Sequence, residues 1–299
     1  MLEIDIIVDL MGHTAGARTT ILANRPAPIQ VNYLGYPSTM GAGFMDYLIA
    51  DPTLIPPSQQ KDYIEKIVYL PDSYMPNDDS RRTISDKVFG RAEVGLPENG
   101  FVFCCFNNSY KLTPGIFDCW ARILKAVEGS VLWLSATNSP AMTNLNKEIN
   151  ARGVNPDRLV FAPRLALSAD HLARLRVAGL FLHTLPYNAH TTASDALWAG
   201  LPVLTQVGRT FAGRVAASLL NALDLAELMT HSQDEYEEAA IGLATNPARL
   251  ALIKDKLARN RLSAPLFNTK AFTRNLEAAY TAMHERHQAG LAPDHIRVR

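Results

Sequence analysis

The sequence lacks the glycine-rich signatures of several large enzyme classes. None of its 299 residues belongs to a Gly-x-Gly-x-x-Gly, Gly-x-Ser-x-Gly or Walker pattern, which argues against a dinucleotide dehydrogenase, an α/β-hydrolase and a P-loop ATPase. Its 8 histidines are scattered, and no His-x-x-x-His stands near a carboxylate. We therefore expect no metal site.

An excess of charge of one sign is also missing. Lys and Arg number 29, Asp and Glu number 29, and the formal net charge is zero. No global field therefore attracts nucleic acid or an anionic membrane, and any anion site has to be local. No apolar run approaches the ~18–20 residues that cross a bilayer, and no signal-peptide pattern precedes the first strand. We expect neither nucleic acid nor a membrane as a partner.

Cysteine is scarce as well. The three cysteines, Cys104, Cys105 and Cys119, are an odd number without a metal-binding spacing. Buried thiols in a reducing compartment are the ordinary interpretation of such a set. The sequence therefore predicts a cytoplasmic protein.

What the sequence does contain is an alternation of short apolar runs and helical patterns, which predicts an α/β fold with mainly parallel sheets. The predicted strands are Ile4–Leu10, Ile29–Leu34, Phe44–Ala50, Lys66–Leu70, Phe101–Phe106, Val131–Ser135, Leu159–Ala162, Leu180–His183 and Val203–Thr205. The predicted helices are Ala15–Ala23, Pro114–Val127, Asn144–Ala151, His171–Ala178, Ala193–Ala199, Arg214–Leu223 and, after a helical stretch from Asp234, Thr269–His287.

The strands fall into two blocks. The stretch from Asp72 to Gly100 is rich in proline and charge and poor in periodic apolar residues, which favours a linker. The first block begins on a core strand that no element precedes, so we expect the chain to start inside a domain. Ligands of open α/β sheets lie beyond the carboxyl ends of the strands, and the segments that follow each strand are therefore the candidate site.

Two of these segments are candidates for binding phosphate. Lys111 follows two amides after the strand Phe101–Phe106, although a single lysine on such a loop is often only a solvated cation. His190, Thr191 and Thr192 stand at the predicted start of a helix, where free N–H groups and the helix dipole favour an anion. Plain helix capping is the alternative for the threonines. Asp195 in the same helix either contacts a ribose or is simply exposed.

Two further segments are weaker candidates. The glycine-flanked loop Gly208–Arg214 is equally plausible as a second phosphate loop and as an ordinary turn. Ser168 is placed to cap a helix that carries His171 and Arg174 on one face, with a purely structural histidine as the alternative.

An ordered set of motifs resembles the catalytic region of O-linked N-acetylglucosamine transferases, including their bacterial homologues and the plant SPINDLY relatives. The motifs are Arg25-Pro26-Ala27-Pro28-Ile29-Gln30, Leu34-Gly35-Tyr36-Pro37-Ser38-Thr39, Cys105-Phe106-Asn107-Asn108-Ser109-Tyr110-Lys111, His190-Thr191-Thr192 with Asp195, Leu197-Trp198-Ala199-Gly200-Leu201-Pro202, Arg214-Val215-Ala216-Ala217-Ser218 and Ser263-Ala264-Pro265-Leu266-Phe267-Asn268. The similarity extends over nearly the whole chain, to about Asp294.

The resemblance implies an α/β fold of the GT-B type with two Rossmann-like lobes, the first of them incomplete. Residues 1–88 would form the partial first lobe and linker, residues 89–268 the nucleotide-binding lobe, and residues 269–299 a helix that returns towards the first lobe. The implied activity is an inverting, metal-independent transfer of N-acetylglucosamine from UDP-GlcNAc to protein Ser or Thr hydroxyls. No cofactor other than this donor substrate is implied.

The resemblance also carries roles to individual residues. Lys111 would neutralise the diphosphate leaving group. The other residues implied in donor binding are Asn108, His190, Thr191 and Thr192 at the phosphates, Asp195 at the ribose, His171 and Arg174 near the nucleotide, Ala166 at the uracil, and Gly35, Tyr36 and Pro37 in the loop that approaches the sugar.

The chain departs from the family pattern at several places. His183 stands where the family typically has Asp, and Ser168 where vertebrate members have Lys. The segment Asn188-Ala189-His190 resembles the N-acetylglucosamine enzymes more than the SPINDLY-type fucosyltransferases, so a uridine donor is favoured over GDP-fucose.

The family's early histidine-containing segment and its upstream tetratricopeptide repeats have no counterpart in the sequence. We therefore expect such repeats in a full-length protein, assign no general base and do not assign His13 to that role. A donor-binding module without activity and an enzyme for small-molecule acceptors stay open as alternatives. An unpaired sheet edge in the first lobe predicts poor expression of the isolated chain.

Overall fold

The computed structural model describes residues 3–136 and 138–299. The strands of this part are β1 (Ile6–Asp9), β2 (Ile29–Asn32), β3 (Tyr47–Ala50), β4 (Lys66–Tyr69), β5 (Val102–Cys105), β6 (Val131–Ser135), β7 (Leu159–Ala162), β8 (Leu180–Leu182), β9 (Val203–Gln206), β10 (Met229–Thr230) and β11 (Ile296–Arg297). The helices are α1 (Thr19–Ala23), α2 (Pro114–Ala126), α3 (Ser139–Ala151), α4 (Ser168–Leu175), α5 (Thr191–Ala199), α6 (Val215–Asn221), α7 (Gln233–Thr245), α8 (Pro247–Ser263) and α9 (Thr269–Gln288).

The described strands form two parallel sheets, each the centre of one lobe. The first has the order β1-β2-β3-β4-β11, and the second has the order β10-β9-β8-β5-β6-β7. All strand pairs are parallel. β2, β3 and β5 are buried along their whole length, as expected for parallel strands covered on both faces. The two-block α/β arrangement predicted from the sequence is confirmed.

The ends of several elements differ from the prediction because side chains and glycines determine them. α1 begins at Thr19 rather than Ala15, since Gly16 adopts the left-handed region (φ +81°) and residues before it form turns. α3 begins five residues earlier than predicted, because the Asn138 side chain accepts the Ala141 N–H at 2.8 Å. The expected capping role of Ser168 is wrong. Leu167 occupies the cap of α4 without a side-chain hydrogen bond, and Ser168 is already helical.

The segment predicted as a linker is an ordered connection. Ser73, Tyr74, Met75 and Asn77 are buried, although the segment has no periodic apolar pattern. Hydrogen bonds hold this segment in place. The Asn77 side-chain N–H donates to the Leu266 carbonyl, and the Asn77 side-chain oxygen accepts the Ser194 hydroxyl in the first turn of α5. We call residues 73–82 the strap.

Polar contacts join the two lobes. The Ser218 hydroxyl on α6 donates to the Asp51 carboxylate of the first lobe at 2.6 Å, and the Arg214 Nε donates to the Thr53 carbonyl at 2.6 Å.

At the carboxyl end of the chain, α9 contacts β2, and β11 adds a short strand beside β4. β1 and β11 lie at the edges of the first sheet. The chain therefore contributes to the first lobe from both its beginning and its end.

Candidate functional site

A cleft of about 1150 Å³ lies between the two lobes. The second lobe lines it with residues that follow β5, β6 and β7 and with the first turn of α5, and the first lobe adds the loop after β2. The strap contributes Tyr74, Met75, Asn77 and Arg82. The cleft thus occupies the carboxyl ends of the second sheet, where parallel α/β sheets bind ligands.

Most of the residues predicted for the site come together in this cleft. Those that line it are Gly35, Asn108, Ala166, His171, Arg174, His190, Thr191, Thr192 and Asp195. Lys111, Tyr36 and Pro37 are not among the described residues of its wall. Tyr36 packs edge-on against the His13 ring at 5.2 Å, and Pro37 is buried in the first lobe.

The start of α5 has the geometry expected of an anion site. His190 is the N-cap residue, and Thr191 and Thr192 are the first helical residues. Within the described residues, the His190 side chain makes no capping hydrogen bond, and the two threonines lie inside the helix rather than at its cap position, so capping by threonine, the alternative interpretation, does not describe this end. The N–H groups of a first helical turn have no intrahelical acceptor, and together with the helix dipole they favour a negative charge.

His190 is held on two sides. Its Nδ1 lies 3.3 Å from the Tyr74 hydroxyl, and its ring stacks on Tyr187 with centroids 5.4 Å apart. Its Nε2 is buried and has no hydrogen-bond partner among the described residues. Burial, and then the positive charge of Lys111, lower the pKa of His190 to about 4. The imidazole is therefore neutral at pH 7.

Lys111 lies beside the start of this helix. Its Nζ donates to the Asn188 carbonyl at 2.8 Å and stands 4.3 Å from the centre of the Tyr187 ring. Burial lowers the pKa of Lys111 to about 8, so the ammonium is still mostly charged at pH 7. An ammonium has three N–H donors, and Asn188 occupies one of them. The ammonium is thus fixed at the carbonyl of Asn188, which lies two residues before the N-cap residue of α5.

His171 and Arg174 form a pair on α4. The guanidinium donates from Nη2 to His171 Nδ1 at 2.9 Å and stands 5.1 Å from the Phe106 ring. Since arginine only donates, Nδ1 has to accept, and the proton of the neutral ring is on Nε2. Burial, and then Arg174, lower the pKa of His171. This histidine therefore has a structural partner and also lines the cleft.

Asp195 has a partner that the sequence did not reveal. The Arg82 guanidinium forms an ion pair with its carboxylate and also donates to Ser194 Oγ at 3.0 Å. The side chain of Asp195 is 24% exposed, so the interpretation as a simply exposed aspartate does not hold. Arg82 lies in the segment predicted as a linker, and 113 residues separate it from Asp195. The only sequence signal was the Arg81-Arg82 pair itself.

None of the described residues that line the cleft belongs to the loop Gly208–Arg214. The Gly208 N–H donates to the Gly213 carbonyl at 2.8 Å, and a Cβ at Gly208 would lie 2.8 Å from the same oxygen. Arg214 connects the loop to the first lobe through Thr53. These contacts favour the ordinary turn over a second phosphate loop.

No group of three or more His, Cys, Asp or Glu side chains in residues 3–136 and 138–299 is placed to hold a metal ion. None of the helices in the same ranges is both long enough and apolar enough to span a membrane.

Comparison with known proteins gives a consistent set of relatives. A sequence model of glycosyl transferase family 41 matches residues 2–87 and 83–276. The chain is 39% identical over 301 residues to a probable UDP-N-acetylglucosamine–peptide N-acetylglucosaminyltransferase SEC of Arabidopsis thaliana. That alignment covers 99% of this chain and 31% of the plant protein, so the chain spans about a third of that relative's length.

Solved structures show the same relationship. An O-GlcNAc transferase mutant of Thermobaculum terrenum superposes with a TM-score of 0.85 at 34% identity, over 94% of this chain and 53% of that one. A sucrose-phosphate synthase from Thermosynechococcus elongatus superposes with a TM-score of 0.63 at 14% identity, over 89% of this chain and 70% of that one. The second likeness concerns the fold alone.

Proposed function

The chain belongs to glycosyl transferase family 41 and has the GT-B fold, and from that premise we propose that it forms the donor-binding region of an enzyme that transfers N-acetylglucosamine from UDP-GlcNAc to Ser and Thr hydroxyls of proteins. The start of α5 carries this proposal. It faces the cleft with His190, Thr191 and Thr192, and Lys111 lies directly beside it.

The chemistry of transfer explains why this arrangement suits a nucleotide sugar. As the bond from the sugar to the diphosphate breaks, negative charge develops on the departing phosphate oxygen. The first turn of α5 offers N–H groups and a positive dipole end to that oxygen. Lys111 keeps two N–H donors beyond the one given to Asn188. Prearranged donors of this kind stabilise charge that develops in the transition state.

Inversion at the sugar and independence of a metal ion belong to the same proposal. The support is that a fixed cation and a helix start can together supply the charge stabilisation that a divalent ion otherwise supplies. We assign the remaining predicted contacts as part of it, with Asp195 at the ribose and Ala166 near the base. Arg82 would hold the Asp195 carboxylate in place.

The test is a transfer assay with the full polypeptide that the gene encodes. An acceptor protein is incubated with UDP-GlcNAc, UDP-glucose or GDP-fucose, and its mass is measured. We expect addition of N-acetylhexosamine from UDP-GlcNAc. We expect Lys111→Ala to reduce the rate at least ~100-fold, as loss of a transition-state donor does, while the exposed Lys125→Ala keeps it.

The other outcomes of this assay separate the alternatives. Binding of UDP-GlcNAc without transfer to any acceptor would favour a donor-binding module. Transfer only from GDP-fucose would favour a fucosyltransferase. A Lys111→Ala variant with normal turnover would refute the role of Lys111.

A further inference from the structure

We propose that Tyr74 is a positioning residue that holds His190 in the tautomer with its proton on Nε2, so that the ring presents an N–H donor to an anionic oxygen in the cleft. That this oxygen belongs to a phosphate rests on the proposed function, whereas the tautomer rests on the contacts between the strap and the start of α5.

Tyr74 is held rigidly by the first lobe. Its backbone N–H donates to the Asp51 carboxylate at 3.0 Å, and its carbonyl accepts the Tyr33 hydroxyl at 2.8 Å. Its ring packs edge-on against Phe211 of the second lobe, with centroids 5.2 Å apart. Tyr74 is only 1% exposed. These contacts fix the ring, and its hydroxyl is therefore held within hydrogen-bond distance of His190.

Counting hydrogen-bond partners distinguishes the two tautomers. If Tyr74 donates to Nδ1, both of those groups are satisfied, and only the Nε2–H has no partner among the described residues. If Nδ1–H donates to Tyr74 instead, the buried hydroxyl hydrogen and the Nε2 lone pair are both left without partners. An unsatisfied buried polar group costs about 1–3 kcal/mol, so the first arrangement is preferred.

The surroundings favour a neutral ring with that orientation. Tyr187 covers one face of His190, and the Lys111 ammonium stands over the Tyr187 ring. A cation nearby disfavours imidazolium, and burial raises the pKa of Tyr74, which stays a protonated donor. The remaining polar atom of His190 is Nε2, on a residue that lines the cleft. A neutral N–H at this point adds to the donors of the α5 start.

The tautomer can be measured without any ligand. We suggest ¹⁵N NMR of the two ring nitrogens of His190 in the chain at pH 7, assigned by the loss of signals in His190→Ala. We expect Nε2 to carry the proton and Nδ1 to show the shift of a hydrogen-bond acceptor. In Tyr74→Phe the two shifts should move towards each other, because the ring then exchanges between tautomers. Tyr69→Phe, which also removes a buried hydroxyl (its partner is Gln60), should leave them unchanged.

Titration with UDP supplies the second measurement. Tyr74→Phe should bind UDP ~3- to 10-fold more weakly than the wild type, the effect of one weakened hydrogen bond, and Tyr69→Phe should bind normally. A proton on Nδ1 in the wild type, or unchanged shifts and affinity in Tyr74→Phe, would overturn the inference. If the wild type binds no UDP but shows the Nε2 proton, the proposed function fails and the tautomer assignment stands.

Discussion

At the scale of single residues, burial keeps two histidines near the start of α5, His183 and the N-cap residue His190, in the neutral form at pH 7. His183 is completely buried, accepts the Ala189 N–H at Nε2 (2.6 Å) and contacts the Thr205 hydroxyl at Nδ1 (2.9 Å). Burial, and then the charge of Lys111, lower the pKa of His183 to about 3. A neutral histidine at this position accepts the backbone N–H of Ala189, the residue before the N-cap of α5.

These histidines predict a loss of stability in mild acid. Their pKa values in the folded chain, about 3 and about 4, lie below the ordinary value of 6.5. The unfolded chain therefore takes up more protons as the pH falls below 6.5, and stability that is present above 6.5 is lost. Each histidine should cost about 2 kcal/mol of unfolding free energy between pH 7 and pH 5. Asp51, whose pKa burial raises, opposes part of this loss.

Substitution isolates the contribution of His183. In His183→Gln the side-chain oxygen can still accept the Ala189 N–H, but it cannot take up a proton. We expect this variant to lose about 2 kcal/mol less than the wild type between pH 7 and pH 5, measured by urea unfolding at both values. His231→Gln, at an exposed histidine, serves as the control. Equal losses in the wild type and His183→Gln would contradict the account.

The site residues that could not be predicted from the sequence are those whose partners lie far away along the chain. His190 and the two threonines were predictable because they follow a strand and precede a helix. Tyr74 and Arg82 were not, since their partners lie 116 and 113 residues away and the strap has no periodic pattern. A single sequence predicts which residues lie at the end of a strand more readily than which side chains meet across the cleft.

At the scale of elements, the loop after β2 depends on close contact with the loop after β1. A Cβ added at Gly35 would lie 1.8 Å from the Leu10 carbonyl oxygen. The next residues are held as well, since Tyr36 packs on His13 and the His13 Nε2 contacts the Met40 carbonyl at 3.0 Å. The loop that brings Gly35 to the cleft is therefore positioned by backbone contact.

We predict that Gly35→Ala destabilises the first lobe. The added methyl group cannot be accommodated unless one of the two backbones moves, which should cost about 2 kcal/mol or more of unfolding free energy. Gly43→Ala is a matched control, because a Cβ there meets no atom within 4 Å. Thermal unfolding of the two variants tests this. If Gly35→Ala melts at the wild-type temperature, the two loops do not pack as described.

The positions of most elements were predictable, whereas several of their ends were not. The predicted strands Val131–Ser135 and Leu159–Ala162 match β6 and β7 at both ends. The two-residue strands β10 and β11 have too little sequence to show a pattern, and pairing with β9 and β4 defines them. Helix ends shift where an asparagine caps or a glycine adopts a positive φ, which apolar periodicity does not detect.

At the scale of the whole molecule, the two lobes meet through polar contacts that also reach the cleft. Asp51 accepts from Ser218 of the second lobe and from the backbone of Tyr74, whose hydroxyl contacts His190. A short path of hydrogen bonds therefore links the lobe interface to the proposed phosphate site. The zero net charge is consistent with a local anion site made of Lys111 and one helix start.

Calorimetric titration of the chain with UDP decides whether the start of α5 and Lys111 form a nucleotide-binding site. We predict one UDP site, GDP binding at least ~10-fold weaker, and UDP affinity reduced ~10- to 100-fold in Lys111→Ala, the effect of a lost charge-assisted contact. The exposed Lys125→Ala should bind UDP as the wild type does. Absence of UDP binding by the wild type, or unchanged affinity in Lys111→Ala, would contradict the account.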